Sequence, residues 1–165
     1  MKKYSVWLVP EESGKRSIQN KIDLLSSKYG GEVFTPHLTI VGEICGDESD
    51  IKRIFMESID DFLPMKVYIE KISFSTTFFQ DVFILIKPTS ELLELNLKLK
   101  KKFDMPNDFF VPHISIMYGY EDIALRETIS QSIEFKEKYF MMNKIVLVDL
   151  GIGVKNMKEI CEKVY

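Results

Sequence analysis

Two histidines, His37 and His113, are the residues of this chain best suited to chemistry. Each follows a proline, and a hydroxyl residue stands two positions later: Thr39 after the first and Ser115 after the second. Because residues two apart on a β-strand share a face, each imidazole would point the same way as its hydroxyl. A proline suits the start of a strand, since it has no N–H to donate to a sheet. The sequence therefore predicts two strands that each present an imidazole and a hydroxyl group.

Such a pair of strands suits phosphoester hydrolysis without a metal ion. An imidazole pKa of about 6.5 lets one ring be neutral and the other protonated near neutral pH, as paired general base and acid catalysis requires. The two hydroxyls could donate hydrogen bonds to non-bridging phosphoryl oxygens. Two alternatives stay open. Each histidine could be a half-buried strand residue satisfied by its hydroxyl, or the pair could bind a metal ion, although zinc sites have three or four ligands.

The composition of the chain favours some classes of protein and binding partner over others. The chain has 165 residues and is 45% hydrophobic, which predicts one folded domain with an apolar core. A formal net charge of −3 argues against a surface for long duplex nucleic acid but allows a small phosphorylated ligand. The two cysteines, Cys45 and Cys161, are too few for a disulfide scaffold. No signal peptide or membrane span is indicated, so we expect a cytoplasmic protein without a membrane partner.

Hydrophobic periodicity predicts the elements that must position these residues. The predicted strands comprise residues 4–9, 34–41, 65–75, 80–87, 111–118, 139–150 and 158–165. Three of the predicted helices comprise residues 15–29, 89–103 and 121–132. Another, second in chain order, carries apolar residues from Ile51 to Phe62 and stops at Pro64. Asp47 and Ser49 are candidate N-caps of the second helix, and Thr89 is one for the third. The segment 42–46 is expected to be a turn.

An internal repeat relates the two halves of the chain. The two histidines lie 76 positions apart, and the same offset carries nearly every predicted element of residues 15–88 onto one of residues 89–165. The repeated unit is a helix, a histidine strand, a helix and two strands. We therefore expect an α+β protein, a single bilobal domain over residues 1–165. Two antiparallel sheets related by a pseudo-twofold axis would line a central cleft, with the helices outside.

The doubled histidine motif, the chain length and the repeat resemble the 2H phosphoesterase superfamily, and within it the cyclic phosphodiesterases of the plant and yeast type. The segments that carry this resemblance are Tyr4 to Trp7 with Pro10, Pro36 to Thr39, Phe78 to Gln80 with Val82 and Phe83, and Pro112 to Ser115 with Tyr118. The resemblance implies hydrolysis of nucleoside 2′,3′-cyclic phosphates to 2′-phosphates, and of ADP-ribose 1″,2″-cyclic phosphate to ADP-ribose 1″-phosphate. It implies no metal and no cofactor, and a place in the processing of RNA and tRNA-splicing metabolites.

Site residues follow from the resemblance position by position. It implies that His37 and His113 are the catalytic pair and that Thr39 and Ser115 bind the phosphate. It also implies that three aromatic residues line the cleft and hold the substrate: Trp7, Phe79 and Tyr118. We assign His113 as the base that activates water and His37 as the acid that protonates the leaving 3′ oxygen, although the pseudo-twofold makes these roles easy to exchange.

The sequence also departs from the plant pattern, and other functions stay open. The additional cysteines and the longer insert before the last strand are missing, and the short segment 151–156 stands where the insert would be. We expect a monomer that acts on a small phosphorylated nucleotide, with short RNA as a further candidate partner. One alternative is a phosphodiesterase of the same superfamily for 2′,5′-linked oligonucleotides or RNA ends. Another is a binding module that retains the phosphate contacts without turnover.

Overall fold

Seven β-strands and four α-helices follow one another in the computed structural model, which describes residues 2–165. The strands are β1 (Lys3–Pro10), β2 (Leu38–Cys45), β3 (Met65–Phe74), β4 (Val82–Ile86), β5 (His113–Met117), β6 (Tyr139–Asp149) and β7 (Lys158–Val164). The helices are α1 (Glu12–Tyr29), α2 (Glu48–Ser58), α3 (Ser90–Lys102) and α4 (Ile123–Ser132). The predicted elements are confirmed to within a few residues, except that most of the predicted turn at 42–46 belongs to β2.

Local signals explain where the helices begin and end. The Asp47 carboxylate accepts a hydrogen bond from the backbone N–H of Ser49 at 2.9 Å and caps α2. Thr89 caps α3 by accepting from the N–H of Leu92 at 3.3 Å. Helix α1 ends at Gly30, whose φ of 81° is a conformation that residues with a Cβ rarely adopt. The caps expected at Asp47 and Thr89 are therefore confirmed.

All seven strands belong to one antiparallel sheet in the order β1-β2-β5-β4-β3-β6-β7. Strand β1 also pairs with β6, so six of the strands close into a ring and β7 extends from it along β6. The α+β class is confirmed, and the two antiparallel sheets that the repeat predicts are hydrogen-bonded into this single sheet. Strands of residues 15–88 pair with strands of residues 89–165 at three places: β2 with β5, β4 with β5, and β3 with the first half of β6.

The strand pairs around the two histidine motifs repeat the offset of 76. Trp7 on β1 pairs with Thr39 on β2, and Phe83 on β4 pairs with Ser115 on β5. Strand β4 therefore corresponds to β1 in the repeat. It pairs with β5, although the predicted boundary at residue 88 assigns β4 to the first lobe and β5 to the second. The division into lobes at residues 15–88 and 89–165 stays a prediction. The strand pairing places β5 of the second predicted lobe between β2 and β4 of the first. None of the helices described within residues 2–165 is long and apolar enough to cross a membrane.

The helices cover one face of the sheet and leave the other to the cleft. Helix α1 packs against β5 and β1, α3 against β2, and α4 against β3 and β4. Leu38 and Ile40 on β2, like Ile114 and Ile116 on β5, point into this core and are almost fully buried. A polar contact also ties α3 to β2, because the buried Asn96 side chain donates to the Ile40 carbonyl at 2.7 Å. The histidine strand is thus held by both packing and hydrogen bonding.

The substitution Asn96→Ala tests this tie between α3 and β2. It leaves a buried carbonyl without its partner, which costs about 1–3 kcal/mol. We expect a lower urea midpoint with an unchanged m-value, measured by circular dichroism. Asn107→Ala, at an exposed position after the same helix, is the control and should leave the midpoint unchanged. Equal midpoints for the two variants would contradict the structural role of Asn96.

Candidate active site

A cavity of about 370 Å³ opens where the two histidine strands meet. All seven residues that the sequence suggested for the site line this cavity: Trp7, His37, Thr39, Phe79, His113, Ser115 and Tyr118. Seven further residues complete its wall: Ser5, Gly42, Glu43, Thr77, Gln80, Leu150 and Met157. The structure thus brings together side chains from strands that are far apart in sequence. We call this space the cleft.

The register between β2 and β5 explains why the motif groups converge. The two strands pair antiparallel at Leu38 and Ile114, the residues that directly follow the two histidines. Extending this register by one residue places His37 opposite Ser115 and Thr39 opposite His113. Because Leu38 and Ile114 point into the core, their neighbours on the same strands point into the cleft. Each half therefore sets its imidazole beside the hydroxyl of the other half.

Both imidazole rings are oriented by the same backbone contact. Nδ1 of His37 lies 2.7 Å from the Thr35 carbonyl, and Nδ1 of His113 lies 2.8 Å from the Val111 carbonyl. A carbonyl can only accept, so each Nδ1 carries the hydrogen. In a neutral ring Nε2 is then unprotonated, and it is the nitrogen available for proton transfer. The sequence pattern did not reveal this contact with the residue two positions earlier.

His37 lies under an aromatic ring. Trp7 stacks on it with ring centroids 3.6 Å apart and an angle of 12° between the planes. The indole N–H donates to the Ser5 hydroxyl at 2.8 Å, and that hydroxyl donates to the Val41 carbonyl at 3.0 Å, so the indole is itself fixed. His37 is only 8% exposed. Burial lowers its pKa to about 4, because the imidazolium form would lose its hydration.

His113 has a different environment. Phe83 meets the ring edge-on with centroids 5.4 Å apart, and the Gln80 side-chain nitrogen lies 3.2 Å from Nε2. The ring is half-buried, and burial lowers its pKa, while the hydrogen bond to the Val111 carbonyl acts in the opposite direction. His37 is therefore the more deeply buried of two rings that share one sequence motif.

The hydroxyls and the remaining aromatic residues also differ in accessibility. Ser115 donates its hydroxyl hydrogen to the Phe79 carbonyl at 2.5 Å. Thr39 is half-buried and lines the cleft. Tyr118 is buried and stacks on Phe34 with centroids 3.7 Å apart, and burial raises the pKa of its phenol. Phe79 is 52% exposed and meets Tyr118 edge-on. Of the three aromatic residues expected in the cleft, Phe79 thus offers the most accessible ring.

Three residues that line or border the cleft were missed as site residues from sequence: Ser5, Gln80 and Phe83. Phe83 stands 76 positions after Trp7, so the repeat offset was a usable signal for it. Gln80 and Ser5 act through contacts that no local pattern encodes. Within residues 2–165 no group of three or more histidine, cysteine, aspartate or glutamate side chains is arranged to hold a metal ion.

The pKa of His37 tests the role of the indole cover. In Trp7→Ala, water reaches the ring and solvates the imidazolium form, so we expect the pKa to rise from about 4 toward about 6.5. NMR titration can follow this directly, since the chain has only two histidines. Trp7→Phe keeps an aromatic face over the ring and should retain most of the lowering. An unchanged pKa in Trp7→Ala would show that the indole does not set the environment of His37.

Solved structures share this fold. The chain superimposes on the crystal structure of E. coli LigT complexed with 3′-AMP with a TM-score of 0.65 and 10% identity, covering 99% of this chain and 97% of that one. A crystal structure described as a phosphoesterase gives a TM-score of 0.71 and 11% identity, covering 99% of this chain and 98% of that one. At these identities the likeness concerns the fold.

Sequence comparison identifies the family. The Arabidopsis thaliana cyclic phosphodiesterase is 28% identical over 117 residues. The match spans 70% of this chain and 65% of that protein, somewhat less than two thirds of its length. The model of the family described as cyclic phosphodiesterase-like protein matches residues 1–146, which include both histidine motifs. With most of its length matched by that model, the chain belongs to the cyclic phosphodiesterase-like family.

Proposed function

We propose that this protein hydrolyses cyclic phosphodiesters without a metal ion, by paired histidine acid and base catalysis. The observation that carries the proposal is the convergence of two imidazoles and two hydroxyls, each pair from a different half, on one cleft. The candidate substrates are nucleoside 2′,3′-cyclic phosphates, opened to 2′-phosphates, and ADP-ribose 1″,2″-cyclic phosphate, opened to ADP-ribose 1″-phosphate. Family membership and the activity named for the Arabidopsis relative support this choice.

The two histidines have different tasks in this reaction. The base takes a proton from water, whose oxygen attacks phosphorus, while the acid gives its proton to the ribose oxygen as the P–O bond of the ring breaks. We propose that His37 is the base and His113 the acid, the reverse of the assignment made from the sequence. The reason is burial, which lowers the pKa of both rings but is deeper at His37, so His113 is the ring that more readily holds the proton that an acid must give. Exchange with solvent restores both rings after turnover.

The hydroxyls stabilise the negative charge that develops on the phosphoryl oxygens. Thr39 and Ser115 donate hydrogen bonds to the non-bridging oxygens, where negative charge is greatest in the transition state. Ser115 must first release the Phe79 carbonyl, which accepts its hydrogen in the free protein. The exposed Phe79 ring is suited to stack on a base, with Trp7 and Tyr118 forming apolar walls.

A second candidate function is cleavage of 2′,5′-linked oligonucleotides or RNA ends. One observation favours it: an adjoining cavity of about 340 Å³ shares Thr39, Gly42, Gln80 and His113 with the cleft. This space could take a second nucleotide, which a cyclic mononucleotide does not need. Salt distinguishes the two candidates, because a Michaelis constant that rises steeply with salt indicates a polyanionic substrate.

Turnover of 2′,3′-cyclic AMP and ADP-ribose 1″,2″-cyclic phosphate in EDTA tests the leading proposal. We expect hydrolysis of at least one substrate, and a loss of about 10²- to 10⁴-fold in kcat for His37→Ala and for His113→Ala. Thr128→Ala, which removes an exposed hydroxyl on α4, is the control and should leave kcat unchanged. Loss of activity in EDTA, or variants as active as the parent, would contradict the mechanism. A 3′-phosphate product would contradict the expected ring opening.

The phosphate contacts are tested separately by removing each hydroxyl. We expect Thr39→Val and Ser115→Ala to lower kcat by about 10²- to 10³-fold, since each loses a donor to the transition state. Thr39→Ser keeps the hydroxyl and should retain most of the activity. Rates are measured at saturating substrate, with circular dichroism to compare folding. If Thr39→Val and Thr39→Ser were equally active, the hydroxyl at this position would have no role in the reaction.

A further inference from the structure

The loop between β3 and β4, residues 75–81, contacts the reacting nitrogen of His113. The side-chain nitrogen of Gln80 lies 3.2 Å from Nε2, and Gln80 is half-buried. Because Nδ1 of His113 donates to the Val111 carbonyl, Nε2 of the neutral ring must accept. The Gln80 amide is therefore the donor. It satisfies the same nitrogen that would exchange a proton with substrate.

A buried arginine holds this loop in place. Arg126 on α4 is 3% exposed and donates to the carbonyls of Ser75 at 2.7 Å, Thr77 at 3.3 Å and Glu121 at 2.8 Å. Its guanidinium also lies 3.0 Å from the fully buried carboxylate of Asp81, next to Gln80. Because two of these acceptors, the Ser75 and Thr77 carbonyls, belong to the loop, the loop cannot shift without breaking its hydrogen bonds to the guanidinium. The position of Gln80 relative to β5 is set by this anchor.

The contact distinguishes the two histidines. The same loop accepts the Ser115 hydroxyl through the Phe79 carbonyl, so it contacts both groups of the second motif. Nε2 of His37 has no side-chain amide contact among the residues that the structure describes, and the apolar face of Trp7 covers the ring instead. The loop therefore acts on one half of a pseudo-symmetric site.

We propose that Gln80 is a positioning residue that adapts to both protonation states of His113. A carboxamide carries a donor and an acceptor, so it can donate N–H to the neutral ring and turn its oxygen to accept from the imidazolium. The ring then keeps one orientation while its proton is given to the substrate and replaced from solvent. This inference rests on the proposed function, in which His113 supplies the proton.

Other ionisable groups around His113 are the same in the parent and in a Gln80 variant. Those that border its two cavities are His37, Glu43, Lys100, Asp108 and Tyr118. Within the loop, Asp81 contacts Arg126, and burial together with Glu121 raises the pKa of Asp81 above its usual range. A substitution at residue 80 leaves all of these side chains in place, and the pKa of the adjacent Asp81 is the one that a new charge there also affects.

The substitution Gln80→Glu keeps the shape of the side chain but provides only acceptors. We expect the carboxylate to favour the imidazolium and raise the pKa of His113 by about 1 unit or more, a tenfold change in protonation equilibrium. His37 should change much less. NMR titration of the two histidines gives both values without any substrate. Gln131→Glu, at an exposed position on α4, is the matched control and should leave both rings unchanged.

The pH dependence of kcat/KM for 2′,3′-cyclic AMP supplies the second measurement. If His113 is the acid, its alkaline limb should move upward in Gln80→Glu by the same amount as the pKa. A His113 pKa that does not rise, or rises equally in Gln131→Glu, would overturn the inference. Movement of the acidic limb instead would support the Gln80 contact and overturn the acid role of His113. A raised pKa in a protein that turns over no cyclic phosphate would overturn the proposed function alone.

Discussion

The antiparallel pair between Leu38 and Ile114 joins the two histidine strands, and the geometry of the cleft depends on it. Both side chains are fully buried, so the residues before and after them must face the opposite side of the sheet. A slip of one residue in either strand would turn its imidazole and hydroxyl into the core. The ring of strands opposes such a slip, because β2 is also paired with β1 and β5 with β4. The closed sheet and the register at its centre thus support each other.

Given this register, a backbone contact two residues upstream determines which ring nitrogen of each histidine donates and which accepts. The carbonyls of Thr35 and Val111 fix Nδ1 of the two rings as donors, so Nε2 is the acceptor in both neutral rings. The proline between each carbonyl and its histidine favours an extended backbone for the residue before it. The motif therefore specifies a tautomer and an orientation as well as a residue type.

Much of this arrangement could be predicted from sequence, because it follows from local rules. Strand alternation placed each histidine on the same side as its hydroxyl, and Asp47 and Thr89 marked helix starts by their side-chain chemistry. The offset of 76 predicted two matching halves, but not that β4 would pair with β5, since strand order depends on long-range packing. The burial of Arg126 could not be predicted from the sequence either. This residue lies on a short helix like any surface arginine, and its burial comes from two loops that fold over it.

The proposed acid and base catalysis requires that the two histidines differ in their surroundings, although the repeat places them at corresponding positions. Two identical imidazoles would have the same pKa, and at any one pH they could not be fully neutral and fully protonated respectively. The fold separates them at corresponding positions: Trp7 covers one ring face to face, whereas Phe83 meets the other only at its edge. A single loop, held by Arg126, then gives Nε2 of the second ring a side-chain amide contact that the first ring lacks among residues 2–165. The repeat thus places the two motifs at corresponding positions in the cleft, and in the proposed reaction the differences around them distinguish the acid from the base.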